Sequence, residues 1–577
     1  MALDCQATGA TPDKGSLLEI GWVAGCADKP PDIASIQSRL IRQPADTPIA
    51  PSISRITGIS EKDLRGAVSA KAAWQDLIRA AKRVASQSLL STCPTAIHYA
   101  RFERPFLHRL HETQAPGSRF PFQIICTHAI AQRMLPELPR RGIRALAGYF
   151  GQAVPELKRS AAHVLATLSI WQNLVKLLQS RCQVYTFDAL QHWMAQPFVR
   201  RRVKRTFPLH HDIRCAVPDR PGIYRMRRAN GDILYIGKAK SLKQRVTSYF
   251  RANAAHAEHI LEMLTQARDL DFVPTDSALE AAVLESDEIK RHRPPYNIAL
   301  RPNGRSLIYG TRDLLKWCNR YDRNYCVGPL PAGRAIESVR SLAGWLAHDM
   351  SLGNDGLEHI GATIFDFASD TGPSIAAMQE GFEIFHGSHQ EMLKHRSALR
   401  AVASIGAKLW RQRVINGQGS NSKSDMEDEA AEVPQNEPAS WRAEWTPADV
   451  AGAIENVMMH AAHMLRRARW FHLLGNSSLA WASADAPQEL KYLLVFEKGA
   501  VVDRLASFSG AKPSDTQRGG RPRQDRKNIM DLATYERMRV VTTELRRLVS
   551  GSRAIELRLS RKIRLTDREL KRALRWV

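Results

Sequence analysis

An Asn-Gly pair at 230–231 lies between two short apolar-rich runs, Ile223–Arg227 and Ile233–Ile236. Such a pair marks a tight hairpin, because glycine accepts the positive φ that the turn demands. The middle of the chain is thereby committed to a small antiparallel sheet. Leu242, Val246 and Tyr249 then share one helical face, which predicts a helix over 242–250. A second helix follows over 256–267 and a third strand over 271–273. Ser277 is suited to cap a helix running to Lys290, with Glu280 as its capping-box partner.

The same window concentrates groups suited to phosphodiester hydrolysis, which needs a proton acceptor, a charge clamp and a metal ligand. Tyr224 and Tyr235 put phenols on the two hairpin strands, and Gly237 lets backbone approach a phosphate. A neutral phenol is a poor base, and Lys238, three residues after Tyr235, is the candidate cation to lower its pKa. Arg245 follows seven residues later and suits a bidentate grip on phosphate. Tyr249 lies four residues beyond it on the same helical face. Glu285 offers one carboxylate, enough for Mg²⁺ when substrate oxygens and water complete its shell. Asn297 closes the set. Singly, each residue is an ordinary core aromatic or surface charge; the ordered spacing makes the signal specific.

The chain has 577 residues, enough for roughly three to five domains. Lys and Arg number 83 against 58 acids, a net charge of +25 that favours a polyanionic partner, DNA first. Eight scattered cysteines lack any CxxC spacing, which argues against a zinc ribbon or a disulfide framework. Isolated thiols, an N-terminus with Asp4 where a signal peptide is apolar, and no apolar run of membrane length together predict a cytoplasmic protein without a membrane partner.

Pro221–Tyr224, Leu234–Phe250, Glu280–Glu285 and Ile289–Asn297 resemble the GIY-YIG nucleases, closest to the branch of excinuclease C (UvrC) and its shorter homologue Cho. The resemblance implies single-metal hydrolysis of DNA with Mg²⁺ or Mn²⁺. Tyr235 or Tyr224 would be the base, tuned by Lys238. Arg245 would stabilise the phosphate, Tyr249 bind it, Glu285 hold the metal and Asn297 support the site. Excinuclease C carries a second nuclease domain and helix-hairpin-helix motifs, and neither is evident after Asn297. The expectation is one incision in DNA repair, resembling the 3′ cut of nucleotide-excision repair, with other repair or replication proteins as possible company. Two alternatives are a proofreading-like 3′–5′ exonuclease and a non-catalytic nucleic-acid scaffold.

The first 196 residues alternate strands and helices. Asp4–Gly9, Leu18–Val23, Ile56–Ile59, His98–Leu107 and His163–Thr167 resemble the polymerase III epsilon (DnaQ) type of 3′–5′ exonuclease, an RNase H-like fold. The motifs are degenerate. Asp4 is present and Glu103 stands in an Asp position, so these are the candidate metal ligands there. Gln6 occupies a Glu position and the last carboxylate is missing; His163 is either the base or stands where the final Asp belongs, with Lys158 in the His position. Two-metal chemistry needs several carboxylates, so this domain is expected to be inactive or severely weakened.

The expected organisation is an α/β multidomain chain. Residues 1–196 form the exonuclease-like domain, 197–217 a basic linker and 218–300 the GIY-YIG domain. A mixed, mainly helical region covers 301–416, an acidic flexible linker 417–440 and an α+β region 441–577. His386 with His389, and His460 with His463, have ligand-like spacing but no obvious third partner, so metal is not expected there. The tail from Arg553 to Arg575 reads as a very basic segment, and the Arg518–Arg523 stretch reads either as a phosphate grip or as a solvated loop.

Overall fold

Residues 2–7 are buried at nearly every position, as a strand covered on both faces must be. In the computed structural model this strand, β1 (Ala2–Ala7), is the centre of a five-stranded sheet. The structure describes residues 1–29, 32–44, 49–152, 157–198, 205–251, 256–297, 306–347, 360, 363–364, 372–394, 397–415, 445–483, 490–508, 530–560, 562–575 and 577. They fall into two compact units, Met1–Arg301 and Pro302–Val577.

In the first unit, β1 pairs antiparallel with β2 (Leu17–Val23), which pairs antiparallel with β3 (Gln37–Leu40). On its other side β1 runs parallel to β4 (Cys93–Ile97), and β4 to β5 (Phe122–Cys126). The order β3-β2-β1-β4-β5 is the RNase H-like arrangement. Parallel neighbours require crossovers. The crossover from β4 to β5 is α1 (Ala100–Gln114). Then come α2 (Ile143–Tyr149) and α3 (Ser160–Cys182), which packs on β1 and β2. The start of α3 is held by Glu19 of β2, which is 1% exposed. Its carboxylate accepts from the Ser160 amide at 2.8 Å and pairs with Arg159 at 2.7 Å. A buried anion at a helix N-terminus is favoured by the unpaired amides there.

The second sheet of this unit has order β7-β6-β8, all antiparallel: β6 (Gly222–Arg227), β7 (Ile233–Ala239) and β8 (Asp269–Pro274). The hairpin turn uses only Gly231 at positive φ, +88°. Its amide donates to the Arg228 carbonyl at 3.0 Å, while the Arg228 amide donates to the Asp232 carbonyl at 2.9 Å. Asn230 stays out of the left-handed region and serves as a side-chain acceptor for the Asp232 amide at 3.1 Å.

Helix α4 (Leu242–Tyr249) buries Leu242, Val246 and Tyr249, and its cap Ser241 accepts from the Gln244 amide at 3.1 Å. Next are α5 (Glu258–Gln266) and α6 (Ala278–His292). Ser277 caps α6 as expected, accepting from the Glu280 amide at 3.2 Å. Glu280 does not complete a capping box; its carboxylate accepts from the Asp276 backbone amide instead, at 3.2 Å.

The second unit holds a three-stranded sheet of order β10-β9-β11 and a five-stranded antiparallel sheet of order β14-β13-β12-β15-β16. The first is built from β9 (Leu307–Gly310), β10 (Trp317–Cys318) and β11 (Val327–Pro331). Helices α7 (Arg334–Ala347), α8 (Ile375–Leu393), α9 (Ala398–Ile415) and α10 (Pro447–Leu474) share one apolar core. Gly406 lets α9 approach α10, since a Cβ there would overlap the Met458 carbonyl and the Ala462 side chain. The second sheet comprises β12 (Ser477–Ser483), β13 (Leu490–Glu497), β14 (Ala500–Phe508), β15 (Ser552–Leu559) and β16 (Ile563–Thr566), with α11 (Leu532–Gly551) and α12 (Asp567–Leu574).

The basic tail is therefore not merely a charged segment. Ile555, Leu557 and Leu559 alternate into the core, and Glu556 pairs with Arg558 and Arg564, each at 2.6 Å. The acidic linker 417–440, residues 199–204 of the basic linker and the Arg518–Arg523 stretch lie outside the described residues; in the rest of the basic linker Leu209 and Val217 are buried in the core. Among the described residues no helix is long and apolar enough to cross a membrane.

Candidate active site

Strand β6 is the middle strand of its sheet, so alternate residues point to opposite, covered faces. Tyr224 sits directly across from Gly237 of β7, and Met226 across from Tyr235. A Cβ at Gly237 would stand 2.6 Å from the Tyr224 ring and 2.8 Å from that of Tyr235. The glycine thus makes room for two phenols, a different purpose from the phosphate approach expected of it. The Tyr224 ring lies 6.1 Å from Tyr235 and 6.1 Å from Tyr249, centroid to centroid. Tyr224 is fully buried, and its hydroxyl shares a 2.8 Å hydrogen bond with that of Tyr249. The Arg245 guanidinium covers the Tyr249 ring at 5.0 Å, a consequence of their four-residue helical spacing.

Glu285 reaches this cluster from α6. Its Oε1 accepts from the Lys238 amide at 3.0 Å, which ties the helix to β7 beside Tyr235. Three residues on, Glu288 pairs with Arg225 of β6 at 2.9 Å, and Arg225 also pairs with Asp271 of β8 at 2.8 Å. This bridge fixes the rotation of α6 and was not foreseen from the sequence; its signal was an arginine between the buried Tyr224 and Met226 of the strand. Asn297 lies behind the strand, 6% exposed. Its Oδ1 accepts from the Ile236 amide at 2.9 Å and its Nδ2 donates to the Ile236 carbonyl at 2.8 Å. Both backbone groups of the residue after Tyr235 are thereby held. His256, also unforeseen, bonds the Tyr249 carbonyl at 2.8 Å.

The phenols are strongly perturbed. Burial pushes Tyr235 above the usual tyrosine range, and Tyr249 and Glu285 add to the rise. Tyr224 is raised for the same first reason, then by Tyr249 and Tyr235. The cation acting against both shifts is Arg245, where the sequence had pointed to Lys238. Among the described residues no group of three His, Cys, Asp or Glu side chains could enclose a metal ion. A single anchored carboxylate, Glu285, fits a hard cation that keeps water and takes phosphate oxygens as its other ligands.

Asp4 and Glu103 lie apart from this cluster, at the five-stranded sheet. Asp4 is 5% exposed and Glu103 4%. Both Asp4 oxygens are engaged: Oδ1 with His163 Nδ1 at 3.1 Å, and Oδ2 with the Gln6 amide at 2.9 Å. Glu103 Oε2 is buried without a hydrogen-bond partner. Burial, then the Asp4 charge, pushes its carboxyl up to about 9. Burial opposes the His163 imidazolium, but the bond to Asp4 and its charge outweigh it and hold the proton above the usual range. His98 is driven down to about 3, chiefly by burial, and bonds Thr127 at 2.9 Å and the Arg141 carbonyl at 3.1 Å. This set does not fit a two-metal centre, which needs several ionised carboxylates free to bind.

Of the paired histidines of the second unit, His389 bonds Glu455 at 2.9 Å and His463 stacks on Trp410.

Residues 220–298 match the family described as the UvrC-like GIY-YIG domain. The middle module is a GIY-YIG domain of that kind. UvrABC system protein C of Clostridium perfringens is 34% identical over 148 residues, which is 24% of this chain and 23% of that protein. The chain thus spans less than a quarter of the length of that relative. The GIY-YIG N-terminal endonuclease domain of UvrC from Thermotoga maritima, solved with its catalytic magnesium, is 32% identical. It covers 16% of this chain and all of that domain, with a TM-score of 0.14. Exonuclease X in complex with 5′-overhanging duplex DNA is 19% identical over 34% of this chain and 98% of that one, with a TM-score of 0.24. The strand order alone carries the RNase H-like assignment of the first sheet.

Proposed function

We propose that this chain is a divalent-metal-dependent DNA endonuclease that makes one single-strand incision during repair, on the 3′ side of a lesion as in nucleotide-excision repair. Residues 218–300 carry the chemistry, and the exonuclease-like domain at 1–196 cuts nothing. The observation that supports this reading best is the Glu285–Lys238 bond, since it brings an anchored carboxylate to the strand of Tyr235.

Tyr235 is the proton acceptor, because the Tyr224 hydroxyl is enclosed and already bonded. It must ionise to act, and Arg245 is the local charge that favours its phenolate. Arg245 also neutralises the scissile phosphate, and Tyr249 donates to it. Asn297 keeps β7 in register, and Lys238 adds positive charge at the strand end. Glu285 holds Mg²⁺, or Mn²⁺ in its place; when bound, the ion supplies charge neutralisation and a more acidic water. The net charge of +25 suits DNA as partner, with other repair or replication proteins acting beside it in the cytoplasm.

The direct test is nicking of supercoiled plasmid with Tyr235→Phe, Arg245→Ala and Glu285→Ala. Each is expected to lose about 10²-fold or more of the Mg²⁺-dependent rate. Undiminished cutting in all three would sink the proposal. A 5′-labelled duplex bearing one lesion reports where the break falls.

A further inference from the structure

Helix α2 of the exonuclease-like domain meets helix α5 of the GIY-YIG domain along a polar seam. Gly148 of α2 touches Gln266 of α5 so closely that a Cβ there would overlap the Gln266 amide. Gln266 is 1% exposed. Its Oε1 accepts from Arg228 Nε at 3.1 Å and Nη2 at 3.0 Å, and its Nε2 donates to the Tyr296 hydroxyl. That hydroxyl donates in turn to Glu262 Oε1 at 2.6 Å. Glu262 pairs with Arg144 of α2 at 3.4 Å, and the Arg144 guanidinium lies 5.1 Å from the Tyr296 ring centre. On the flanks, the Arg140 amide donates to Thr265 Oγ1 at 3.1 Å and Arg268 donates to the Tyr149 carbonyl at 3.2 Å.

One arm of this network ends on the turn that precedes β7 and another on β7 itself. Arg228 closes the β6–β7 turn with Asp232. The Tyr296 amide donates to the Leu234 carbonyl at 3.1 Å, and the next residue, Asn297, holds both backbone groups of Ile236. Tyr235 lies between these anchor points.

We propose that the exonuclease-like domain is a positioning element for the nuclease: through Gly148 and Arg144, α2 fixes Gln266, Arg228 and Tyr296, and so sets the strand that presents Tyr235. The activity arm of this inference rests on the endonuclease reading above; the structural arm does not. A buried polar network loses more than one bond when a member is displaced, because the remaining groups are left unpaired. A reacting group shifted by about 1 Å can lose 10²-fold in rate. A domain whose carboxylate set is incomplete thereby keeps a function.

The test uses the full chain with Gly148→Leu, Arg144→Ala and Arg144→Lys. Amide exchange is followed over residues 233–239, and kcat and KM are measured by nicking. Gly148→Leu and Arg144→Ala are expected to speed exchange in that strand about tenfold. They are expected to lower kcat about tenfold while KM stays within about twofold, with partial recovery in Arg144→Lys. Should Gly148→Leu fail to fold, Arg144→Ala decides alone, since Arg144 sits at the partly exposed rim of the seam. Unchanged exchange in Arg144→Ala, or a change confined to KM, overturns the proposal. If the wild-type chain cuts nothing, the endonuclease reading falls, and faster strand exchange still supports the brace while unchanged exchange refutes it.

Discussion

The hydroxyls of Tyr224 and Tyr249 meet at 2.8 Å in a buried hydrogen bond that only one of them can donate. The bond joins the middle strand of the sheet to the helix that carries Arg245, so its loss is felt at both elements. Tyr224→Phe is expected to destabilise the first unit by about 1–3 kcal/mol, because the Tyr249 hydroxyl loses a buried partner. The double variant Tyr224→Phe with Tyr249→Phe is expected to cost less than the sum of the singles. Denaturant unfolding of the four proteins measures this coupling; strict additivity would contradict it.

Glu285→Gln separates fold from chemistry. The amide oxygen can still accept from the Lys238 backbone, so the tie between α6 and β7 survives. The negative charge is gone, and with it the affinity for a hard divalent cation. Melting temperature is expected to stay within about 2 °C of wild type, while Mg²⁺-dependent nicking falls by about 10²-fold or more. A titration with Mg²⁺ followed by nicking rate shows whether the loss lies in metal affinity.

Asn297→Ala leaves the amide and carbonyl of Ile236 without their side-chain partner in a buried position. A loss of about 2–4 kcal/mol is expected by chemical denaturation, from two desolvated groups together. Asn297→Asp keeps the acceptor but turns an anion toward the Ile236 carbonyl, so it is expected to be no better than alanine.

The Glu103 carboxyl, pushed up to about 9 from an ordinary 4.5, produces a pH-dependent stability with a definite sign. The folded chain keeps this proton where the unfolded chain has released it. Stability is therefore fullest below about 4.5 and declines as pH rises toward 9. Glu103→Gln is expected to abolish that decline, leaving the variant about 1–3 kcal/mol more stable than wild type at pH 8 and little different at pH 4. Thermal unfolding across this range is the measurement, and equal slopes for both proteins would exclude the effect.

Much of the site was readable because its parts are local. Ser277 announced a helix start, Leu242, Val246 and Tyr249 a buried face, and Asn230-Gly231 a turn. Less readable were effects that depend on what surrounds a side chain. Tyr235 was expected to be tuned by the cation three residues away in sequence, yet its position on the strand pairs it with Tyr249, Glu285 and Arg245. Gly237 was assigned to a substrate, whereas the two phenols already occupy the space in front of it. The tail from Arg553 was read by its charge, although Ile555, Leu557 and Leu559 alternate as a strand does. Its arginines dominated the composition and obscured the period.

From the order of its residues alone, this chain determined which side chains are available for phosphodiester chemistry and on which strands and helices they ride. Short-range rules of capping, turn formation and periodicity act over a few residues and are written in the chain itself. Tertiary structure decided which groups share an environment. It set Glu285 against the Lys238 amide, closed both Asp4 oxygens with His163 and Gln6, and joined Gly148 to Gln266. Those pairings span from two to 159 positions of sequence, and burial, which governs their energetics, exists only once the chain has packed.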